Sequence, residues 1–284
     1  MIQSPHILNG IPIAKKHLEI AARNILRIQK EGGTVTLATV QVGEAKDALL
    51  YFVSLEKLLQ KLGIRHIARV FPEEITEANV FKEILELNSD SATTGIMVFA
   101  PLPVHLDSTA LLSAVDILKD AEGRRVIHGI GDRVVSPTAN AVLTLLEETG
   151  CEIAGKEAVV VGHSDLVGKP TSILLLDKLA TVTVCHTKTK NLRAHVEEAD
   201  IVVAAAGKPH LIKGEWIKPG AVVIDVGENE LNGKLVGDVD FETAKMRASF
   251  ISPVPGGVGP VTNVMLIKNL ISLYELQKRA NGNH

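Results

Sequence analysis

The residues best suited to chemistry by type and spacing form the run Val159-Val160-Val161-Gly162-His163-Ser164-Asp165-Leu166-Val167-Gly168-Lys169-Pro170. Three valines read as a buried strand, Gly162 stands at its end, and a helix start follows. A glycine there lets the backbone turn tightly and approach a diphosphate, while N–H groups at a helix N-terminus supply donors and partial positive charge. The spacing is not Gly-x-Gly-x-x-Gly, so by itself the loop also fits an ordinary strand-to-helix turn. Two further segments, Ala204-Ala205-Ala206-Gly207 and Asp225-Val226-Gly227, end apolar runs in small residues. Together the three would let a flat dinucleotide lie across the carboxyl edge of a sheet.

A site for NAD commonly ends its second strand on a carboxylate that binds the ribose hydroxyls. Here that strand runs into Cys185-His186-Thr187-Lys188-Thr189-Lys190, with no acid. Nothing repels a 2′-phosphate, and the lysines and His163 would attract one, so NADP is favoured and NAD is the second possibility. His163, Ser164 and Asp165 are the residue types of a hydrolytic triad, but adjacent residues cannot arrange as nucleophile, base and orienter.

These loops need elements to position them. Apolar residues from Ile11 to Ile28 recur at helical spacing and stop at Gly32-Gly33, which predicts an opening amphipathic helix. Strands are expected at 34–42, 64–71 and 95–99, and helices at about 45–62, 76–87 and 108–115. After a helical stretch at 139–149, further short apolar strands are expected at 158–161, 181–185, 201–205 and 221–226. Alternation of this kind argues for parallel sheets covered by helices. The join between two domains is placed around 139–155, and a helix at about 262–277 is expected to pack back on the first domain.

At 284 residues the chain is long for one core. A formal net charge of −3, with scattered lysines and arginines, leaves no basic stripe for a nucleic acid. No apolar run reaches the ~18 residues of a membrane span and no charged-then-apolar leader is visible, so a cytoplasmic protein is expected. The ten histidines lack metal-ligand spacing, so no metal is predicted. Cys151 and Cys185 read as plain core thiols.

The sequence resembles the bifunctional methylenetetrahydrofolate dehydrogenase/methenyltetrahydrofolate cyclohydrolase family over essentially its whole length. The resemblance rests on Val161-Gly162-His163-Ser164 with Val167-Gly168-Lys169-Pro170, on Gly207-Lys208-Pro209 followed by Ile212 to Gly220, and on Pro253-Val254-Pro255-Gly256-Gly257-Val258-Gly259-Pro260. It implies an α/β fold with an N-terminal α/β substrate domain (1–140, completed by 265–284) and a Rossmann-type dinucleotide-binding domain (141–264). It also implies a homodimer acting on a tetrahydrofolate-type small molecule. Cofactor-binding positions carried over are Gly162, His163, Ser164, Val167, Thr187, Ala206, Gly207, Glu228, Gly259 and Thr262. Substrate positions are Tyr51, Phe99, Pro101, Leu102, Glu122, Pro255, Gly256 and Gly257, with Tyr51 and Glu122 as catalytic candidates.

The match departs from the family on the substrate side. A tyrosine followed four residues later by a catalytic lysine becomes Tyr51 and Leu55; Lys57, which matches a second lysine of the motif, lies about 200° round a helix from position 55 and is a poor substitute. The family's Val-Gln-Leu-Pro-Leu-Pro becomes Val98-Phe99-Ala100-Pro101-Leu102-Pro103, which removes the amide. Lys-Asp-Val-Asp-Gly becomes Lys119-Asp120-Ala121-Glu122-Gly123, Pro-Cys-Thr-Pro becomes Ser136-Pro137-Thr138-Ala139, and the arginine after the loop glycine becomes His163. Hydrolysis needs a group that moves protons, and leucine has none. Hydride transfer needs chiefly that donor carbon and nicotinamide face each other. The expectation is a dehydrogenase with weak or absent cyclohydrolase activity; a non-catalytic ligand-binding paralogue and a dehydrogenase on another small substrate stand as alternatives.

Overall fold

Strands that are apolar on both faces are stable only inside a layered sheet, and the computed structural model, which describes residues 6–43, 46–124 and 134–282, contains two such sheets. The chain begins with β1 (His6–Ile7) and α1 (Gly10–Lys30). It continues through β2 (Thr36–Val42), α2 (Lys46–Leu62), β3 (Arg65–Phe71), α3 (Glu77–Ser89), β4 (Gly95–Val98) and α4 (Ser108–Ser113). Then come α5 (Pro137–Glu148), β5 (Glu157–Val161), α6 (Gly168–Asp177), β6 (Thr181–Cys185), α7 (Leu192–Glu198), β7 (Ile201–Ala204) and β8 (Val222–Asp225). A hairpin of β9 (Asn229–Leu231) and β10 (Lys234–Val236), α8 (Phe241–Ala244), β11 (Phe250–Ile251) and α9 (Val258–Gly282) complete it. Two units result, Met1–His17 with Ser136–Met265, and Leu18–Val135 with Leu266–His284.

The second of these units holds a parallel sheet in the order β3-β2-β4. Alternation along its strands sorts side chains to two faces. Leu37, Met97 and Phe99 join Ala21, Ile25 and Ile28 of α1, Leu55 and Leu59 of α2 and Leu266, Ile267 and Leu270 of α9. Ala38, Val40, Ile96 and Val98 face the other way, onto Val80, Ile84 and Leu87 of α3 and the loop residues Leu102 and Leu106. The last helix therefore packs where the sequence placed it. Asn269 of α9 fixes the seam by donating to the carbonyls of Ala121 (2.9 Å) and Val135 (2.8 Å). Gln277 adds bonds to the carbonyls of Thr94 and Leu118.

The other unit holds a six-stranded parallel sheet in the order β1-β11-β8-β7-β5-β6. Of the strands that follow α5, β5 comes first in sequence; β6 lies on one side of it and β7 and β8 on the other. The carboxyl ends of β5 and β7 thus border the switch point where dinucleotides bind in folds of this class. The two-residue strands β1 and β11 and the β9–β10 hairpin were not foreseen from sequence, and α9 starts at Val258 rather than near Thr262. Pro260 is tolerated there because the first-turn N–H groups of a helix have no partner inside the helix. No described helix is long and apolar enough to cross a membrane.

Candidate active site

Beyond β5 the backbone comes closer to its neighbours than any side chain would allow. Gly162 has φ +134°, and a Cβ on it would stand 2.0 Å from the Ala205 carbonyl oxygen. A Cβ on Gly168 would stand 2.1 Å from the Gly162 oxygen. Glycines at 162 and 168 therefore set the approach of α6 to the end of β5 and of both to β7. The side chain of Ser164 accepts from the N–H groups of Val167 (3.2 Å) and Gly168 (3.4 Å), capping α6. Those two donors, expected to be free, are thus spent inside the loop. The N–H groups of His163, Ser164, Asp165 and Leu166 donate to no group among the described residues, and this donor set suits a diphosphate. The Ser136 hydroxyl donates to the Leu166 carbonyl and caps α5 through Ala139 N–H (3.3 Å), tying that helix to the loop.

His163 projects beside His186, which follows β6, with ring centroids 5.3 Å apart and planes tilted by 48°. His186 Nδ1 accepts from Lys188 N–H (3.1 Å), and its own N–H donates to Thr189 Oγ1 (2.8 Å), so the turn that exposes Thr187 and Lys188 is internally braced. Two imidazoles thus stand together beside a turn that carries the exposed Lys188 and Lys190, a basic corner of the sheet edge.

The N–H groups of Ala206 and Gly207 are engaged from within the protein. Asp238 Oδ2 accepts from Ala206 N–H (2.5 Å) and Gly207 N–H (3.0 Å), and its Oδ1 accepts from Lys208 N–H (2.8 Å) and Asn229 Nδ2 (2.9 Å). The concavity of backbone N–H groups after β7 is filled by the protein's own anion, so this segment offers room to a flat ligand rather than donors. Asp225 in turn accepts from Gly227 (3.0 Å), Asp238 (3.0 Å) and Val239 (2.8 Å) N–H. Burial, together with the charge of Asp238, pushes the Asp225 carboxyl up to about 7 against the pull of those three donors. Glycine is required beside each acid: a Cβ on Gly237 would meet Asp225 Oδ2 at 1.9 Å, and one on Gly227 would meet Asp238 Oδ1 at 2.3 Å. Asp238 escaped the sequence reading; Val236-Gly237-Asp238, a glycine abutting an acid, was its only trace.

The Pro253–Gly259 turn closes a small hollow with Asp225 to Glu228. The Val254–Pro255 bond is cis, and Gly256 has φ +99°. Gly10 packs so tightly on this turn that its Cβ would lie 1.8 Å from the Gly257 oxygen, and Gly10 N–H donates to the Gly256 carbonyl (2.8 Å). Glu228 Oε1 lies 3.0 Å from where a Cβ on Gly259 would stand, at the start of α9. Thr262, expected at the cofactor, donates its hydroxyl to the Val258 carbonyl (3.3 Å) one turn back.

In the other unit Leu55 is 1% exposed and Phe99 7%, both within one apolar cluster. Lys57 is exposed, on the far side of α2 from Leu55 as helical geometry requires. Tyr51 stands on α2, and its side chain lies outside the described residues. The Ala100–Pro101 bond is cis, Pro101 is exposed, and Leu102 is buried in the opposite cluster.

Glu122 is not the solvated loop acid that its position alone would suggest. It is buried, and its Oε2 accepts from Arg124 Nη2 (2.9 Å) and Nε (3.1 Å), with Val98 N–H adding a further hydrogen bond. Burial pushes its carboxyl up to about 7, with Arg124 pulling the other way. Arg124, which sequence reasoning passed over, also bonds through its N–H to Asp120 Oδ2 (2.8 Å). Lys119 is a structural residue, its ammonium donating to the carbonyls of Leu87 (3.1 Å) and Asp90 (2.6 Å).

Against known proteins, residues 8–122 match the family model described as tetrahydrofolate dehydrogenase/cyclohydrolase, catalytic domain. Residues 136–278 match its NAD(P)-binding domain. The bifunctional protein FolD 2 of Geobacter metallireducens is 44% identical over 285 residues, spanning 98% of this chain and 99% of its own. Two solved structures superpose closely. The bifunctional FolD enzyme of Campylobacter jejuni has TM-score 0.92 at 34% identity, covering 95% of this chain and 99% of that one. The Trypanosoma brucei FolD, complexed with NADP cofactor and inhibitor, has TM-score 0.91 at 37% identity, covering 97% and 99%. From a phosphate-type loop at the end of a parallel strand, family models matched over residues 8–122 and 136–278, and identity along almost the full length, it follows that this chain belongs to the tetrahydrofolate dehydrogenase/cyclohydrolase family.

Proposed function

We propose that the chain is a methylenetetrahydrofolate dehydrogenase that uses NADP in preference to NAD, and that its methenyltetrahydrofolate cyclohydrolase activity is weak or absent. One observation carries this reading: the loop after β5 keeps its glycine geometry and open donors, while Leu55 and Phe99 are buried together where the family has its lysine and glutamine.

The dinucleotide, when bound, supplies the hydride acceptor. Gly162, His163, Ser164 and Val167 hold its diphosphate, and Thr187 with the basic corner takes the 2′-phosphate. Ala206, Gly207, Glu228, Gly259 and Thr262 border the remainder. In the substrate unit the resemblance assigns the folate-type ring to Tyr51, Phe99, Pro101 and Glu122, with Leu102 anchoring the Pro101 loop; in the other unit it names Pro255, Gly256 and Gly257 as substrate positions. A hydride leaves the methylene carbon with both bonding electrons, so this step asks the protein for alignment and no base. Hydrolysis of the methenyl product instead moves protons between water and a ring nitrogen, and neither Leu55 nor Phe99 can carry one.

In this reading residues 1–140 with 265–284 form the substrate domain and 141–264 the dinucleotide domain. The protein acts as a cytoplasmic homodimer without a nucleic-acid partner, which the net charge of −3 supports. The test is to supply purified protein with methylenetetrahydrofolate and NADP or NAD in parallel, following reduced cofactor by absorbance, and to assay methenyltetrahydrofolate hydrolysis separately. Cofactor reduction, faster with NADP, is expected, with hydrolysis near the uncatalysed rate. Ligand binding without turnover overturns the dehydrogenase assignment, and hydrolysis at an ordinary enzymatic rate overturns the second clause.

A further inference from the structure

The carboxyl edge of the six-stranded sheet is electrically polarised. At the β6 side stand His163, His186, Lys188 and Lys190, and at the end of β8 stands Glu228. In a doubly wound sheet the residue at the end of the second strand meets the adenosine ribose, so the adenosine half of a dinucleotide lies over β6 and the nicotinamide half over β7 and β8. The basic corner therefore faces the phosphorylated end of the cofactor, and Glu228 faces the redox end.

Glu228 sits in the hollow formed by Asp225 to Gly227 and the Pro253–Gly259 turn. Its carboxylate makes no hydrogen bond or ion pair among the described residues, unlike Asp225 and Asp238 beside it, which are fully engaged by backbone N–H groups. One flank is open to solvent and the other is closed enough to raise its pKa. A carboxylate so placed has no structural partner to satisfy.

We propose that Glu228 is a specificity-determining residue that makes the site prefer the oxidised dinucleotide, whose nicotinamide ring is cationic, over the reduced one, whose ring is neutral. The inference rests on the dinucleotide reading of this unit. A fixed negative charge stabilises the cationic ring by Coulomb attraction and gains nothing from the neutral one. It therefore favours capture of the hydride acceptor and release of the spent cofactor. Glutamine at 228 keeps size and hydrogen-bonding capacity while removing the charge.

The experiment is equilibrium binding of NADP+ and NADPH to the full chain by titration calorimetry, for wild type and Glu228→Gln, with thermal unfolding of both. Glu228→Gln is expected to weaken NADP+ binding about tenfold and to leave NADPH binding within about twofold. The ratio of the two affinities is the quantity read. Equal loss for both forms, or no change in either, overturns the proposal; a lowered unfolding midpoint with an unchanged ratio does so too, since it marks Glu228 as a helix cap. Failure of wild type to bind either form overturns the dinucleotide reading itself, and the proposal with it.

Discussion

The ends of β5 and β4 invite comparison, since each is the carboxyl end of a buried parallel strand followed by a loop rich in special backbone positions. After β5 the chemistry is carried by backbone: two glycines, a run of N–H groups and a serine cap. After β4 the corresponding positions are side chains, Phe99 on the strand extension and Leu55 on the facing helix, both buried in one apolar cluster. In the proposed reading, binding rests on backbone geometry, which tolerates side-chain replacement, whereas proton transfer rests on a single amine, which does not.

The comparison can be broken first at Leu55. Leu55→Lys places an ammonium in a site that is 1% exposed, and unfolding in denaturant is expected to show a loss of about 4 kcal/mol. Methenyltetrahydrofolate hydrolysis should rise only when Phe99→Gln is added; a rise in the single variant would show that the cluster is not sealed. Next, Asp238→Ala leaves the N–H groups of Ala206, Gly207 and Lys208 without their acceptor and should cost about 3 kcal/mol by the same measurement. A near-neutral result would mean that the loop after β7 does not depend on its internal anion. Gly162→Ala forces a Cβ toward the Ala205 carbonyl at a left-handed φ, so NADP binding should weaken by about a hundredfold while methenyltetrahydrofolate hydrolysis stays at its starting level.

The smallest effect is a pH dependence in the substrate unit. The folded-state value of about 7 for Glu122 lies above its ordinary value of 4.5, so the folded chain holds the proton more tightly than the unfolded one. Its contribution to stability is complete below about pH 4.5 and is lost as pH rises through about 7, with a slope approaching 1 kcal/mol per pH unit. Glu122→Gln should flatten that slope in unfolding midpoints measured across the same window. An unchanged slope would show that Arg124 keeps the carboxyl ionised throughout.

Much of this was legible in the sequence because it obeys periodicity. The apolar runs of β2, β4, β5, β7 and β8 and the amphipathic α1 announce themselves. β1 and β11 do not, since two residues have no period and exist as strands only through parallel pairing with a neighbour. The run Pro255-Gly256-Gly257-Val258-Gly259-Pro260 reads as a breaker throughout, yet its second half forms the first turn of α9. In the candidate site, Gly162 was visible from its place at a strand end. Asp238 was not, because its partners lie 30 to 32 residues upstream. Arg124 was hidden for the opposite reason: a basic residue two places from an acid usually means nothing, and burial of the pair is decided by β4.

The Asp225–Asp238 network also constrains how such a sequence can drift. At the other sheet, the side chains of Leu55 and Phe99 are held by apolar packing. At the β8 end, Asp225, Gly227, Gly237 and Asp238 are interlocked: a side chain added at either glycine strikes a carboxylate, and an acid removed leaves several buried N–H groups unpaired. A change at any one of these four positions therefore disturbs the others, and the end of β8 is held by mutual dependence that the apolar cluster of the other unit lacks.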